Sequence, residues 1–211
     1  MEAAVLVVAV EYALAPEHRF PVAVEQGDAV LRWVAAEAAT LHADPMRIAL
    51  GGTSAGGGIA AAVALRSRGA VGPAVALQLL EVPALDLTAR HIDLWPAVVM
   101  GVPLPLVLGE MLAVATGYLG SPLRGARNPL ASPLRAPDLA GMPPAVVLTA
   151  EYDPLRRQGA LYAARLRAAG IDASCVRYAG ATHDVPIFGR LVPASRRWHD
   201  DVVSALRHLH D

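Results

Sequence analysis

The 211-residue sequence has a single cysteine, Cys175, so no internal disulfide framework holds it together. Cys175 sits in the apolar run 173–178 and reads as a buried structural thiol. Blocks of like charge are also missing. Lys and Arg number 18 against 19 Asp and Glu, for a net charge of −1. That balance excludes the basic footprint of a nucleic-acid binder and a polybasic membrane patch. No apolar run is long enough to cross a bilayer: the uncharged stretch 94–109 contains Pro96, Pro103 and Pro105 and falls short of the roughly 20 residues a spanning helix needs. The N-terminus lacks a secretory signal's basic start and cleavage-like end, with Glu2 in place of a cationic region. No internal repeat or low-complexity tail is present. A cytoplasmic protein with no membrane span is the expectation.

What is there is apolar. Hydrophobic residues make up 55% and charged residues 18%, much of the apolar share being Ala and Val. The length suits a single domain, residues 1–211, with a sizeable core. Short, wholly apolar runs are what a parallel sheet buried on both faces requires. Residues 3–10, 47–50, 74–80, 145–149 and 173–178 fit that description. Helical spacing of apolar residues covers 24–40, 59–68, 155–169 and 194–208, with Gly69 and Gly170 as stops. Strands alternating with helices predict an α/β architecture with a mostly parallel sheet flanked by helices. Residues 83–144 differ: ten prolines fall there, predicting short helices and turns in an insertion lying over the active site.

The chemistry concentrates in Gly52-Thr53-Ser54-Ala55-Gly56, a G-x-S-x-G sequence between a strand and a helix. A serine nucleophile needs a tight turn that exposes its hydroxyl, and glycines on either side remove Cβ atoms that would clash there. The N–H of Ala55 then points to where an oxyanion forms. The bland reading is a flexible glycine-rich loop or a phosphate cradle, and the Gly-Lys-Ser/Thr of a P-loop is absent. Serine needs a base. In the order Ser, Asp, His, Asp153 and His183 each follow a strand, where catalytic groups of open parallel sheets gather. His183 would take the Ser54 proton and Asp153 would orient the imidazole. Glu151, Asp86 and Asp184 compete for the carboxylate role, Asp184 also raising the pKa of the base beside it. His18, His42 and His91 fall outside the expected order, and His199, His208 and His210 read as solvated or capping on the last helix. Trp95, Met100, Leu104, Leu106, Leu108 and Met111 line an acyl pocket or pack on the sheet.

These residues resemble the hormone-sensitive-lipase-like esterases of the α/β-hydrolase superfamily. The matches are Tyr12-Ala13-Leu14-Ala15-Pro16-Glu17, Phe20-Pro21-Val22-Ala23-Val24-Glu25, Gly52 through Gly57, Glu151-Tyr152-Asp153-Pro154-Leu155-Arg156 and Tyr178-Ala179-Gly180 leading to His183. The resemblance implies an α/β-hydrolase fold and hydrolysis of small-molecule carboxylic esters with short to medium acyl groups, through an acyl-enzyme and without metal or organic cofactor. It also implies a homodimer through the last strand, residues 173–178.

The departures carry consequences. The family's His-Gly-Gly-Gly oxyanion motif is not in the sequence, so the N-terminal strands and cap are expected to be missing and Ala55 to be the remaining oxyanion donor. Losing one such donor typically costs about 2.7–4 kcal/mol. Residues 3–10 would have to move next to the nucleophile strand, or a partner would fill that place. Thr53 stands where the family commonly has Asp, and Asp184 where it commonly has Gly. The alternatives to an active esterase are a catalytically weak or inactive truncated fragment and a non-catalytic ligand-binding module on the same scaffold.

Overall fold

Short apolar runs, largely buried in the two inner strands, assemble the centre of the molecule. The computed structural model describes residues 3–69, 72–121 and 125–209. Its sheet has four parallel strands in chain order, β1 (Ala49–Thr53), β2 (Leu77–Glu81), β3 (Ala145–Tyr152) and β4 (Ala173–Thr182). Ala49 pairs with Leu77, Gln78 with Ala145, and Ala145 with Ala173. Helix α1 (Val22–Ala36) precedes β1, α2 (Ala55–Ser67) links β1 to β2, and α3 (Trp95–Val99) and α4 (Leu104–Leu119) fall between β2 and β3. Helix α5 (Arg156–Ala168) links β3 to β4, and α6 (Pro193–Arg207) closes the chain.

Successive side chains of a strand point to opposite faces, and each face has its own helical cover. Leu80 and Val147 join Ala61, Ala64, Tyr162 and Leu166 of α2 and α5 on one side. Leu77, Leu79, Val146 and Leu148 meet Trp198, Val202 and Ala205 of α6 on the other. Helix α1 lies against α2 through Val24, Leu31, Ala62 and Val63. The buried Gln78 amide is paired on both sides: it donates to the Pro143 carbonyl at 2.9 Å and accepts the Tyr162 hydroxyl at 3.0 Å.

Three expectations are corrected. Residues 3–10 form no strand; they are irregular and mostly exposed, Val7 to 76%. β-propensity expresses itself only where a neighbouring strand completes the hydrogen-bond ladder, and a cavity of about 880 Å3 lies between this segment and β1. The proline-rich stretch was expected to hold no long element, yet α4 runs for 16 residues. Its prolines, Pro103 at the N-cap and Pro105 in the first turn, occupy positions where a missing N–H breaks no helical bond. Cys175 is only partly buried, because β4 is an edge of the sheet; burial still pushes its thiol pKa up. Residues 122–124 of the insertion, and His210, lie outside the described residues.

Candidate active site

Strand β1 ends at Thr53 and α2 begins at Ala55, so Ser54 makes the whole turn. It does so at φ 55° and ψ −114°, a strained conformation for a residue with a side chain. Close approach makes the glycines necessary. A Cβ on Gly52 would sit 2.5 Å from the Gly56 carbonyl carbon, one on Gly57 2.9 Å from the Gly52 oxygen, and one on Gly58 2.2 Å from the Ala84 oxygen. The expected clash at Gly56 is absent, since a Cβ there would meet nothing within 4 Å; Gly56 supplies the backbone that Gly52 must approach.

The turn is fastened from β2 and the loop after it. The Ser54 N–H donates to the Glu81 carbonyl at 2.8 Å, and the Ser54 carbonyl accepts the Ala84 and Gly58 N–H groups at 3.0 and 3.1 Å. The Glu81 carboxylate accepts the Thr53 hydroxyl at 3.3 Å and the Trp198 indole N–H. Sequence reasoning missed Glu81. Its signal was a lone acid ending an apolar strand, and its partner Trp198 lies 117 residues away in sequence. Ala55 opens α2, and the first N–H groups of a helix have no partner within it and carry its positive dipole end.

The structure brings the three residues singled out for chemistry together. His183 Nε2 lies 2.9 Å from Ser54 Oγ, and Nδ1 lies 3.1 Å from Asp153 Oδ1. With the Nδ1 proton directed at Asp153, Nε2 is free to accept from the serine hydroxyl. Asp153 is fully buried. Its Oδ1 also accepts the Leu155 N–H at 2.8 Å, while Oδ2 has no hydrogen-bond partner among the described residues. A buried carboxylate so sparsely served favours a cation beside it, which His183 becomes on taking a proton. Burial works to lower the His183 pKa, but the hydrogen bond and charge of Asp153, with the charges of Asp184 and Glu110, prevail and hold it above 6.5.

Two of the competing carboxylates, Asp86 and Glu151, are engaged elsewhere. Asp86 is buried, accepting the Thr88 N–H at 2.9 Å and hydroxyl at 2.7 Å and pairing with His91 Nδ1 at 2.6 Å. The Glu151 carboxylate accepts the Gly180 N–H at 2.7 Å. His208 contacts the Ser204 carbonyl at 2.7 Å. The start of α3 is tied to the residues flanking Asp153: Asp93 N–H donates to the Pro154 carbonyl at 2.9 Å, its carboxylate meets Arg156 at 2.8 Å, and Trp95 stacks on Tyr152. Leu106, Leu108 and Met100 are 64%, 44% and 50% exposed, so they are not packed on the sheet. No group of three or more His, Cys, Asp or Glu able to hold a metal occurs among the described residues, and no helix there is long and apolar enough to cross a membrane.

The sequence profile of the alpha/beta hydrolase fold matches residues 1–187. The chain belongs to the alpha/beta hydrolase fold family. Among relatives of this hydrolase-fold chain, the carboxylesterase NlhH of Mycobacterium tuberculosis is 36% identical over 209 residues, covering 97% of this chain and 64% of that protein. An arylesterase of Saccharolobus solfataricus is 37% identical over 180 residues, covering 84% and 56%. In three dimensions, the thermophilic carboxylesterase EstE1, cloned from a metagenomic library, superimposes with a TM-score of 0.84 at 42% identity, over 94% of this chain and 67% of that one. The chain thus spans under two thirds of the length of the curated relatives named here.

Proposed function

We propose that this chain is a serine hydrolase acting on carboxylic esters with short to medium acyl groups. The observation that carries the reading is the continuous contact from Ser54 Oγ through His183 to Asp153, at 2.9 and 3.1 Å. Both lie within reach of proton transfer. Relatives named carboxylesterase and arylesterase support the choice of bond.

In this mechanism Ser54 Oγ attacks the ester carbonyl carbon as its proton passes to His183 Nε2. The carbonyl π pair moves onto oxygen, and that oxyanion takes a hydrogen bond from the Ala55 N–H. Asp153 stabilises the imidazolium. Collapse of the intermediate breaks the bond to the alcohol oxygen, which leaves with the proton from His183, and the acyl group stays on Ser54. Water, deprotonated by His183, attacks the acyl carbon; the bond to Ser54 Oγ then breaks, Oγ takes the proton back from His183, and the carboxylic acid leaves. Gly52, Thr53, Gly56 and Gly57 form the elbow that presents the hydroxyl. The chemistry uses no cofactor and no metal. Residues 1–211 act as one domain in which the insertion 83–144 covers the acyl side, and β4, whose Val176 is 37% exposed, is the edge through which two copies pair.

Hydrolysis of p-nitrophenyl butyrate tests the reading. Turnover lost in Ser54→Ala, with the circular-dichroism spectrum unchanged, is the expected result. Absence of any Ser54-dependent turnover in folded wild-type protein would overturn it. Ligand affinity preserved in Ser54→Ala without wild-type turnover would instead mark a binding module.

A further inference from the structure

The ladder between β3 and β4 breaks next to the site. Ala150 pairs with Tyr178 and Tyr152 with Thr182, so Glu151 alone stands opposite Ala179, Gly180 and Ala181. Extra residues on one strand make a bulge, which re-aims the side chains beyond it and leaves main-chain groups in need of partners. Gly180 turns within this bulge at φ 72°, and its N–H donates to Glu151 Oε2 at 2.7 Å. Glu151 is held from behind: its carbonyl accepts from Arg156 Nη1 at 2.8 Å. Arg156 is fixed in turn by Asp93 at 2.8 Å and by the Trp95 ring, 4.7 Å below its guanidinium. Only Tyr152 separates Glu151 from Asp153, and only Ala181 and Thr182 separate Gly180 from His183.

We infer that Glu151 is a positioning residue: its carboxylate locks the β4 bulge through the Gly180 N–H and so sets His183 between Ser54 and Asp153. It does not touch the imidazole, since the carboxylate on His183 is that of Asp153. Its effect passes through the backbone of β4. A charge-assisted bond of this kind is stronger than a neutral one, and an uncapped bulge would let the His183 loop sample other orientations. The kinetic consequence rests on the hydrolase reading; the structural one does not.

Glu151→Ala and Glu151→Gln separate the possibilities. With an ester substrate, Glu151→Ala is expected to lower kcat roughly tenfold, the lower end for a hydrogen bond to a charged group, while KM changes less than about twofold because substrate contacts are intact. Glu151→Gln keeps an acceptor oxygen and is expected to recover most of that loss. A reduced KM-independent rate in Ala but not Gln supports the inference. An unchanged kcat in Ala, a change confined to KM, or equal losses in both variants overturns it. A second measurement needs no turnover. In nitrogen-15 NMR spectra, the His183 ring resonances and the exchange protection of the Gly180 amide should shift in Glu151→Ala and hold in Glu151→Gln. Unmoved ring resonances overturn the inference. If wild-type protein shows no Ser54-dependent turnover, the hydrolase reading falls, and the NMR comparison still decides the role of Glu151.

Discussion

Trp198 donates its indole N–H to the carboxylate of Glu81, joining the last helix to the strand whose final carbonyl holds the Ser54 N–H. The indole is also packed on Tyr178, ring centroids 4.6 Å apart. One side chain therefore braces the serine turn and the strand leading to His183. Trp198→Phe keeps much of the packing and removes the donor. A hydrogen bond to a charged group is worth about 1.5–3 kcal/mol, so urea denaturation should show a loss in that range.

The glycines of the elbow are not equivalent. Gly58→Ala places a methyl 2.2 Å from the Ala84 oxygen, backbone that has nowhere to go, and should cost at least about 1–3 kcal/mol. Gly56→Ala meets open space and should keep wild-type stability within about 0.5 kcal/mol. Comparing the two thermal midpoints checks the pair. Similar losses in both would show that the turn is constrained by something other than these approaches.

Activity should rise with pH along a limb set by His183. The protonated ring cannot accept the Ser54 proton, and the His183 pKa lies above 6.5, so the midpoint of the kcat/KM profile should also lie above it. Asp184→Asn removes one of the charges that raise it, and the limb should move to lower pH. The raised pKa also links to folding: the ion pair's contribution is complete below 6.5 and is lost as pH climbs through the folded-state value. A limb that stays put in Asp184→Asn would show that Asp153 and Glu110 alone set it.

Asp153→Asn tests the orienting carboxylate. An asparagine of the same shape presents an amide where the Nδ1 proton belongs and favours the wrong tautomer. In the best-studied serine triads the equivalent change lowers kcat about 10,000-fold, and a loss of that order is expected with the fold preserved. Retention of most activity would remove Asp153 from the mechanism.

Much of this was legible in the sequence, for identifiable reasons. The strands at 47–50, 74–80, 145–149 and 173–178 were readable because both faces of a parallel sheet are buried, leaving apolar runs. The elbow was readable because Gly52, Gly57 and Gly58 answer to backbone contacts within a few residues of Ser54 or with Pro83 and Ala84. Residues 3–10 misled because apolar, β-branched composition says nothing about whether a neighbouring strand is at hand. Helix α4 was hidden because a proline count does not reveal that Pro103 sits at its N-cap and Pro105 in its first turn. Glu81 and Glu151 were hidden because their partners, Trp198 and Gly180, are remote in sequence and brought close only by the finished sheet.

Strand β1, which delivers Ser54, forms the rim of the sheet and faces the large void on its outer flank. The ladder there is braced from one side only, so warming should loosen this border before the interior strands yield. Catalytic competence would then fade at temperatures where the helices and the inner strands still give a native spectrum.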